Sequence, residues 1–342
     1  MREPAFWHRP SSWKSYLLRP LAAVYGAVAA RRMRQGGLDA GIPVLCVGNY
    51  HVGGAGKTPT VLALVKLLRE LDELPVVLSR GYGGSLRGPI KVDPERHDAS
   101  EVGDEPLMMS ATLPVVIARD RAAGVALAKS QGASVILMDD GFQNPAVAKD
   151  ASLIVIDAVR GVGNGRVIPA GPLRAPLKPQ LARTDALIVV GEGEAAKKIA
   201  AEIAHEGKPV LAASIKPDDV SVAALQGKRV LAFAGIGDPD RFFRTLRASG
   251  VEIVSSRVFA DHHPYSDGDI QDLSLDAGRD GLTLVTTEKD LARIHGGDGM
   301  LPHVQRVVPF KVTLEFNEPA QLRRFVTDRL FRARDARRRG GG

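Results

Sequence analysis

Short apolar runs alternate with helix-like segments along most of the chain, the pattern of a parallel α/β sheet with helices on its faces. The runs at residues 43–47, 75–79, 113–117, 134–138, 153–156 and 186–190 read as strands. Residues 58–72 carry Val61, Leu64, Val65 and Leu68 at helical spacing, so one face of a helix is apolar there. Residues 119–131 read as a second helix. After a further run at 209–215 and the sequence KPDDV, a new set begins. It holds a strand at 229–234, a glycine turn at GIGDPD, a helix at 240–249, and strands at 252–258 and 282–286. Residues 307–316 alternate like one strand, and 319–332 read as a closing helix. The strands at 209–215 and 307–316 flank the second set and are expected to pair as its hinge. The expected organisation is an N-terminal helix over residues 1–35, a larger domain over 36–215 and a smaller α/β domain over 216–306. A return strand, closing helix and Arg/Gly tail complete it over 307–342, the tail from residue 332 reading as a solvated, frayed end.

Composition leaves that picture intact: 342 residues, 44% hydrophobic and 25% charged, supply cores for two domains. A single cysteine, Cys46, excludes an intramolecular disulfide, and its place in an apolar run reads as a small buried strand residue. Charge changes the picture more. A net charge of +7 favours acidic partners, and its distribution narrows them. Residues 1–34 hold Trp7, Trp13, Tyr16 and Tyr25 and carry seven Lys/Arg against the single acid Glu3. The longest uncharged run there, residues 20–30, falls short of the roughly 20 apolar residues needed to cross a bilayer. Arg31-Arg32-Met33-Arg34 stands where a signal-peptide cleavage site would be. Aromatics and arginines around a short apolar face suit a helix lying in the membrane interface. On that reading a peripheral lipid partner, and no nucleic acid, is expected; the alternative is an amphipathic helix packed on its own domain.

The run 43–47 leads directly into GNYHVGGAGKTPT at residues 48–60. A phosphate cradle needs backbone N–H groups turned inward, which glycine permits, and a helix N-terminus behind them. Gly53, Gly54, Ala55, Gly56, Lys57, Thr58 and Pro59 form the expected nucleotide cradle. Lys57 would neutralise the β and γ phosphates of ATP, and the Thr58 hydroxyl would hold Mg²⁺. The spacing G-x-x-x-x-G-K-T asks for glycine at position 51, where this chain has His51; the loop instead has the paired-glycine form VGGAGKT. The fold expected is thus α/β, a P-loop NTPase-like parallel sheet domain plus a second, smaller α/β domain joined by a two-stranded hinge.

A phosphate loop also wants an acid at the end of a neighbouring strand. SVILMDDGFQ supplies Asp139 and Asp140 for Mg²⁺, directly or through water. Phosphoryl transfer then needs a group to orient and deprotonate the acceptor hydroxyl. GDEP at residues 103–106 puts two carboxylates at a helix entry, and FADHHPY at 259–265 clusters an acid with two histidines. An Asp–His pair drawn from two domains would form on closure, which keeps water from the γ-phosphate. A zinc site is not expected, since no further Cys/His cluster supplies four ligands.

These motifs together resemble the tetraacyldisaccharide 4'-kinase family, the lipid A 4'-kinases of Gram-negative bacteria. The matching stretches include VGNYHVGGAGKTP, SRGYGG, GDEP, DDGFQ, GNGRVIPAGPLR, GIGDPDRFF, DHHPY and TTEKD, in that order. The resemblance implies transfer of the ATP γ-phosphate, with Mg²⁺, to the 4'-hydroxyl of an acylated glucosamine disaccharide 1-phosphate, giving lipid IVA. It further implies two α/β domains on a two-stranded linker and a helix on the cytoplasmic face of the inner membrane. Carried over by motif, Asp104 pairs with His262 to activate the sugar hydroxyl, and Asp139 and Asp140 are the metal-side acids. Tyr82, Glu105, Arg119 and Gln143 are placed near the phosphates or the disaccharide, and TTEKD receives no role.

Two other readings share the loop. A dethiobiotin-synthetase-like enzyme has no use for a basic aromatic N-terminal helix and leaves DHHPY unexplained. A nucleotide-switch ATPase or GTPase calls for a lysine near position 52, where this chain has Val52, or for Cys/His ligands.

Overall fold

The computed structural model describes residues 4–9, 12–295 and 307–340. The parts of the expected N-terminal helix, smaller domain and tail that fall on 1–3, 10–11, 296–306 and 341–342 lie outside the described residues. In chain order the strands are β1 Val44–Gly48, β2 Pro75–Ser79, β3 Ile90–Lys91, β4 Val115–Ile117, β5 Val135–Asp139, β6 Ala151–Asp157 and β7 Ala186–Val190. They continue as β8 Val210–Pro217, β9 Arg229–Ala234, β10 Glu252–Val258, β11 Thr283–Thr287, β12 Val307–Phe310 and β13 Val312–Phe316. The larger sheet has the order β13-β8-β7-β6-β1-β5-β2-β4-β3, and the smaller the order β10-β9-β11-β12. The fold is α/β: a P-loop NTPase-like sheet domain and a smaller α/β domain joined through the antiparallel pair β8 and β13.

The central strands read as continuous apolar runs because both faces of the larger sheet are covered. Leu45 and Val47 of β1 face one core with Leu137 and the helix Lys57–Glu70, which contributes Val61, Leu64, Val65 and Leu68. Val44 and Cys46 face the other, with Ile136, Met138 and Tyr50. Cys46 is the fully buried strand residue its surroundings imply. Leu231 and Phe233 of β9 pack on Ile270 and Leu273, while Val230 and Ala232 face Phe243 and Leu246 on the other side.

Two sequence expectations need correction. Residues 307–316 are not one strand. The chain breaks at Lys311, so β12 lies parallel to β11 in the smaller sheet while β13 lies antiparallel to β8 in the larger one. The cause lies in partners far back in the chain: Lys311 N–H donates to Ser221 Oγ at 3.2 Å and its carbonyl accepts from Asp218 N–H at 3.0 Å. Both backbone groups of Lys311 are therefore withdrawn from the ladder. The basic tail is not frayed either, for the closing helix runs Pro319–Gly340. Arg334 reaches Glu73 at 2.6 Å, and Arg337 donates to both oxygens of Asp150 at 3.0 Å and to Asp39 at 2.9 Å. Asp150 in turn accepts from the first N–H of β1 at 2.8 Å, so the tail is fastened to the base of the sheet.

The helices Trp13–Leu17 and Arg19–Met33 lie on the GNGRVIPAGPLR loop. Ser15 Oγ donates to the Ala170 carbonyl at 2.6 Å and Trp7 Nε1 to the Pro169 carbonyl at 3.0 Å. Their outer side is apolar: Trp13, Tyr16, Leu17, Leu21, Val24, Tyr25 and Val28 are exposed. No described helix is long and apolar enough to cross a membrane.

Candidate active site

The cradle forms between the end of β1 and the helix Lys57–Glu70. Gly53 and Gly56 take φ of 99° and 93°, the left-handed backbone that turns successive N–H groups inward. The approach is braced from outside the loop. Asn49 Nδ2 donates to the Gly53 carbonyl at 3.0 Å, and Gln143 Nε2 donates to the Asn49 carbonyl at 2.7 Å and to Gln180 Oε1 at 2.9 Å. Thr58 is buried in the first turn of the helix, and Lys57 Nζ lies 3.8 Å from Asp140.

β5 lies parallel to β1 with Val47 opposite Asp139, so the acid pair emerges beside the loop. Asp140 has φ of 51° and its carboxylate is 2.7 Å from Arg174. Burial would raise its pKa, but Lys57 and Arg174 hold it down at about 2. Asp139 goes the other way: burial, then Glu105 and Asp140, push it up to about 7. Its Oδ1 is buried with no hydrogen-bond partner.

Gly103, with φ of 91°, starts the helix Asp104–Ser110. Asp104 and Glu105 thus occupy a first turn, where the helix dipole favours carboxylates. From the smaller domain His262, with φ of 58°, is held by its N–H to the Gly235 carbonyl at 3.0 Å. Its Nδ1 lies 3.0 Å from Asp104 Oδ2. Burial would raise the Asp104 pKa, but the His262 hydrogen bond and the charges of His262, Lys289 and Arg293 hold it at about 2. That same hydrogen bond raises His262 above its ordinary value. Tyr82, 71% exposed, meets the His262 ring edge-on at 5.8 Å between centroids. Arg293 bridges the domains from behind, with Nε 3.2 Å from Asp104 and Nη1 3.2 Å from Asp290.

Residues 14–331 match the family described as Tetraacyldisaccharide-1-P 4'-kinase. A relative from Bradyrhizobium diazoefficiens named tetraacyldisaccharide 4'-kinase is 66% identical over 337 residues, 98% of this chain and 99% of that one. A Rhodopseudomonas palustris protein of the same name is 65% identical over 341 residues, covering 100% and 99%. The chain belongs to the tetraacyldisaccharide-1-P 4'-kinase family. A crystal structure of LpxK from Aquifex aeolicus in complex with ATP superposes with a TM-score of 0.73 at 26% identity, covering 92% of this chain and 99% of that one.

Among the site residues expected in this 4'-kinase family member, Asp104, His262, Glu105 and Tyr82 meet at the domain boundary, and Lys57, Asp139 and Asp140 lie on the cradle side. Gln143 serves the cradle's support and also lines a cavity of about 210 Å³ with Arg32, Arg80, Arg121, Asp140 and Arg174. Arg119 stands apart, donating to the Gly84 carbonyl at 3.3 Å in the SRGYGG loop. Sequence reasoning passed over Arg293 and gave no role to Arg174 or to TTEKD, although GNGRVIPAGPLR, which holds Arg174, and TTEKD both stood out as motifs. Thr287 and Asp290 bond reciprocally across the start of the helix Glu288–His295, with Thr287 Oγ1 2.6 Å from Asp290 Oδ2. The T-x-x-D spacing of a capping box was the available signal. Asp290, fully buried, also accepts from Gly235 N–H at 3.0 Å and Tyr265 OH at 2.9 Å.

The residues fit Mg²⁺. Thr58 offers a hydroxyl, Asp140 an ionised carboxylate, and Asp139 a buried oxygen that lacks a partner. Among the described residues no three His, Cys, Asp or Glu side chains form a ready cage. Mg²⁺ keeps several waters and takes one or two carboxylates plus phosphate oxygens, which the Thr58 hydroxyl and the two carboxylates can supply in part.

Proposed function

We propose that this chain transfers the γ-phosphoryl group of ATP to the 4'-hydroxyl of tetraacyldisaccharide 1-phosphate, giving lipid IVA, at the cytoplasmic face of the inner membrane. The observation that carries the reading is the 3.0 Å bond between His262 and Asp104, made across two domains beside a phosphate loop. In this reading Lys57 and the N–H groups of Gly53, Gly54, Ala55 and Gly56 cradle the β and γ phosphates, with Pro59 following in the helix. Mg²⁺, when bound by Thr58, Asp139 and Asp140, neutralises charge on those phosphates. Asp104 and His262 take the hydroxyl proton as a pair, and Tyr82 keeps the imidazole facing Asp104. The arginine-lined cavity beside Asp140 favours an acceptor that carries a phosphate.

Attachment rests on the exposed apolar side of Arg19–Met33. An acylated disaccharide leaves the bilayer only at about 0.8 kcal/mol per methylene, so its kinase gains by working at the surface. The test is a detergent assay with γ-labelled ATP, Mg²⁺ and tetraacyldisaccharide 1-phosphate. Wild type should label the lipid, and Asp104→Ala and His262→Ala should each lose about 100-fold to 10,000-fold in rate. ATP hydrolysis with no labelled lipid would put a nucleotide switch in place of the kinase.

A further inference from the structure

Within TTEKD, three side chains bond inside the smaller domain: Thr286 to the Phe233 carbonyl, and Thr287 and Asp290 to each other. Lys289 does not stay there. Its ammonium leaves the first turn of Glu288–His295 and pairs with Glu105 of the larger domain. A lysine in a helix's first turn opposes the helix dipole, so local preference does not account for it.

Its surroundings supply the account. The charge of Lys289 bears on Asp104, Glu105 and Asp139, while that of Lys57 bears on Glu105, Asp139 and Asp140. The two lysines therefore flank one group of carboxylates, one from the phosphate loop and one from the opposite domain. The neighbouring arginines are engaged elsewhere: Arg174 with Asp140, and Arg293 with Asp104, Asp290 and the Gly235 carbonyl. Lys289 has a flexible four-carbon stem and a carboxylate partner that an incoming phosphate can displace.

We propose that Lys289 is a catalytic cation delivered by the smaller domain, leaving Glu105 for a γ-phosphoryl oxygen of bound ATP. The proposal rests on the kinase reading above. In the step, the bond from the γ-phosphorus to the β,γ-bridging oxygen breaks and its electron pair leaves on ADP. The 4'-oxygen bonds to that phosphorus, and its proton passes to the Asp104–His262 pair. Lys289 remains an ammonium throughout and balances charge spread over the equatorial oxygens of the transferring group.

The test measures kcat and the KM for ATP with the lipid acceptor for wild type, Lys289→Met, Lys289→Arg, Glu105→Gln and the double variant Lys289→Met/Glu105→Gln. Lys289→Met should lower kcat by about 100-fold or more with KM shifted only a few-fold, and Lys289→Arg should recover part of it. The same fold-loss should appear when Lys289→Met is added to Glu105→Gln, because the ammonium's partner in the transition state is phosphate. Wild-type kcat in Lys289→Met, or a change confined to KM, overturns the proposal. So does a double variant as active as Glu105→Gln alone, which would make Lys289 only the counter-ion of Glu105. Wild type that leaves the lipid unlabelled would instead refute the kinase reading, and no variant is needed to see it.

Discussion

The Asp104 carboxylate and the His262 imidazole hold each other's charge, and the directions of their shifts fix what pH does to them. His262 is raised chiefly by its bond to Asp104, so that stabilisation is fully present below the ordinary imidazole value of 6.5 and is lost as pH rises through the raised one. Asp104 is held down to about 2 from 3.8, so its share is present above 3.8 and is lost as pH falls through about 2. Asp104→Asn should return His262 towards its ordinary value in a histidine NMR titration; an unmoved imidazole would break the pairing argument. Gly103 is the other residue on which the dyad hangs. A Cβ there would lie 2.4 Å from the Tyr82 carbonyl oxygen, at a φ of 91°. Gly103→Ala should cost about 1–3 kcal/mol in urea unfolding and displace Asp104. Both partners of the dyad were legible in the sequence as chemistry, since GDEP and DHHPY stand out by residue type. Arg293 was not, because an arginine inside an ordinary amphipathic helix carries no mark until the fold brings it to within 3.2 Å of Asp104.

At the scale of elements, the phosphate-loop helix and most strands were readable because each carries one unbroken periodic signal. The failures fell where an element's end is decided by distant partners. The run VVPFKVTLEF alternates throughout, and only the Asp218 and Ser221 bonds to Lys311 divide it. The Arg-rich tail reads as solvent-facing until Glu73, Asp39 and Asp150, far back in the chain, turn out to face it. Arg337→Ala should therefore destabilise the protein by about 1.5–3 kcal/mol, the range for hydrogen bonds to charged groups, rather than by nothing. The check is the denaturation midpoint, which a frayed tail would leave unchanged. The short edge strand β3 escaped notice because two residues are too few to show a period.

For the whole molecule, the N-terminal helices are where the proposed membrane attachment can be tested separately from folding. Arg19–Met33 buries Ala22, Gly26 and Met33 and leaves Leu21, Val24 and Val28 outside. Replacing those three with glutamate should lower binding to anionic vesicles by at least about tenfold while leaving thermal unfolding nearly unmoved. A parallel fall in stability would mean that the face is covered within the protein. Both chain crossings between the two sheets run through one place, where β8 and β13 are hydrogen-bonded and Asp218 N–H is tied to the Lys311 carbonyl. Two strands in a ladder bend across their face far more easily than they slip in register. Relative movement of the sheets is thereby reduced to little more than a single angle. Asp104 and His262, 158 residues apart in sequence, need not search a volume for one another. For the proposed kinase, a pair held by so constrained a link has little orientational entropy left to lose when the acceptor arrives.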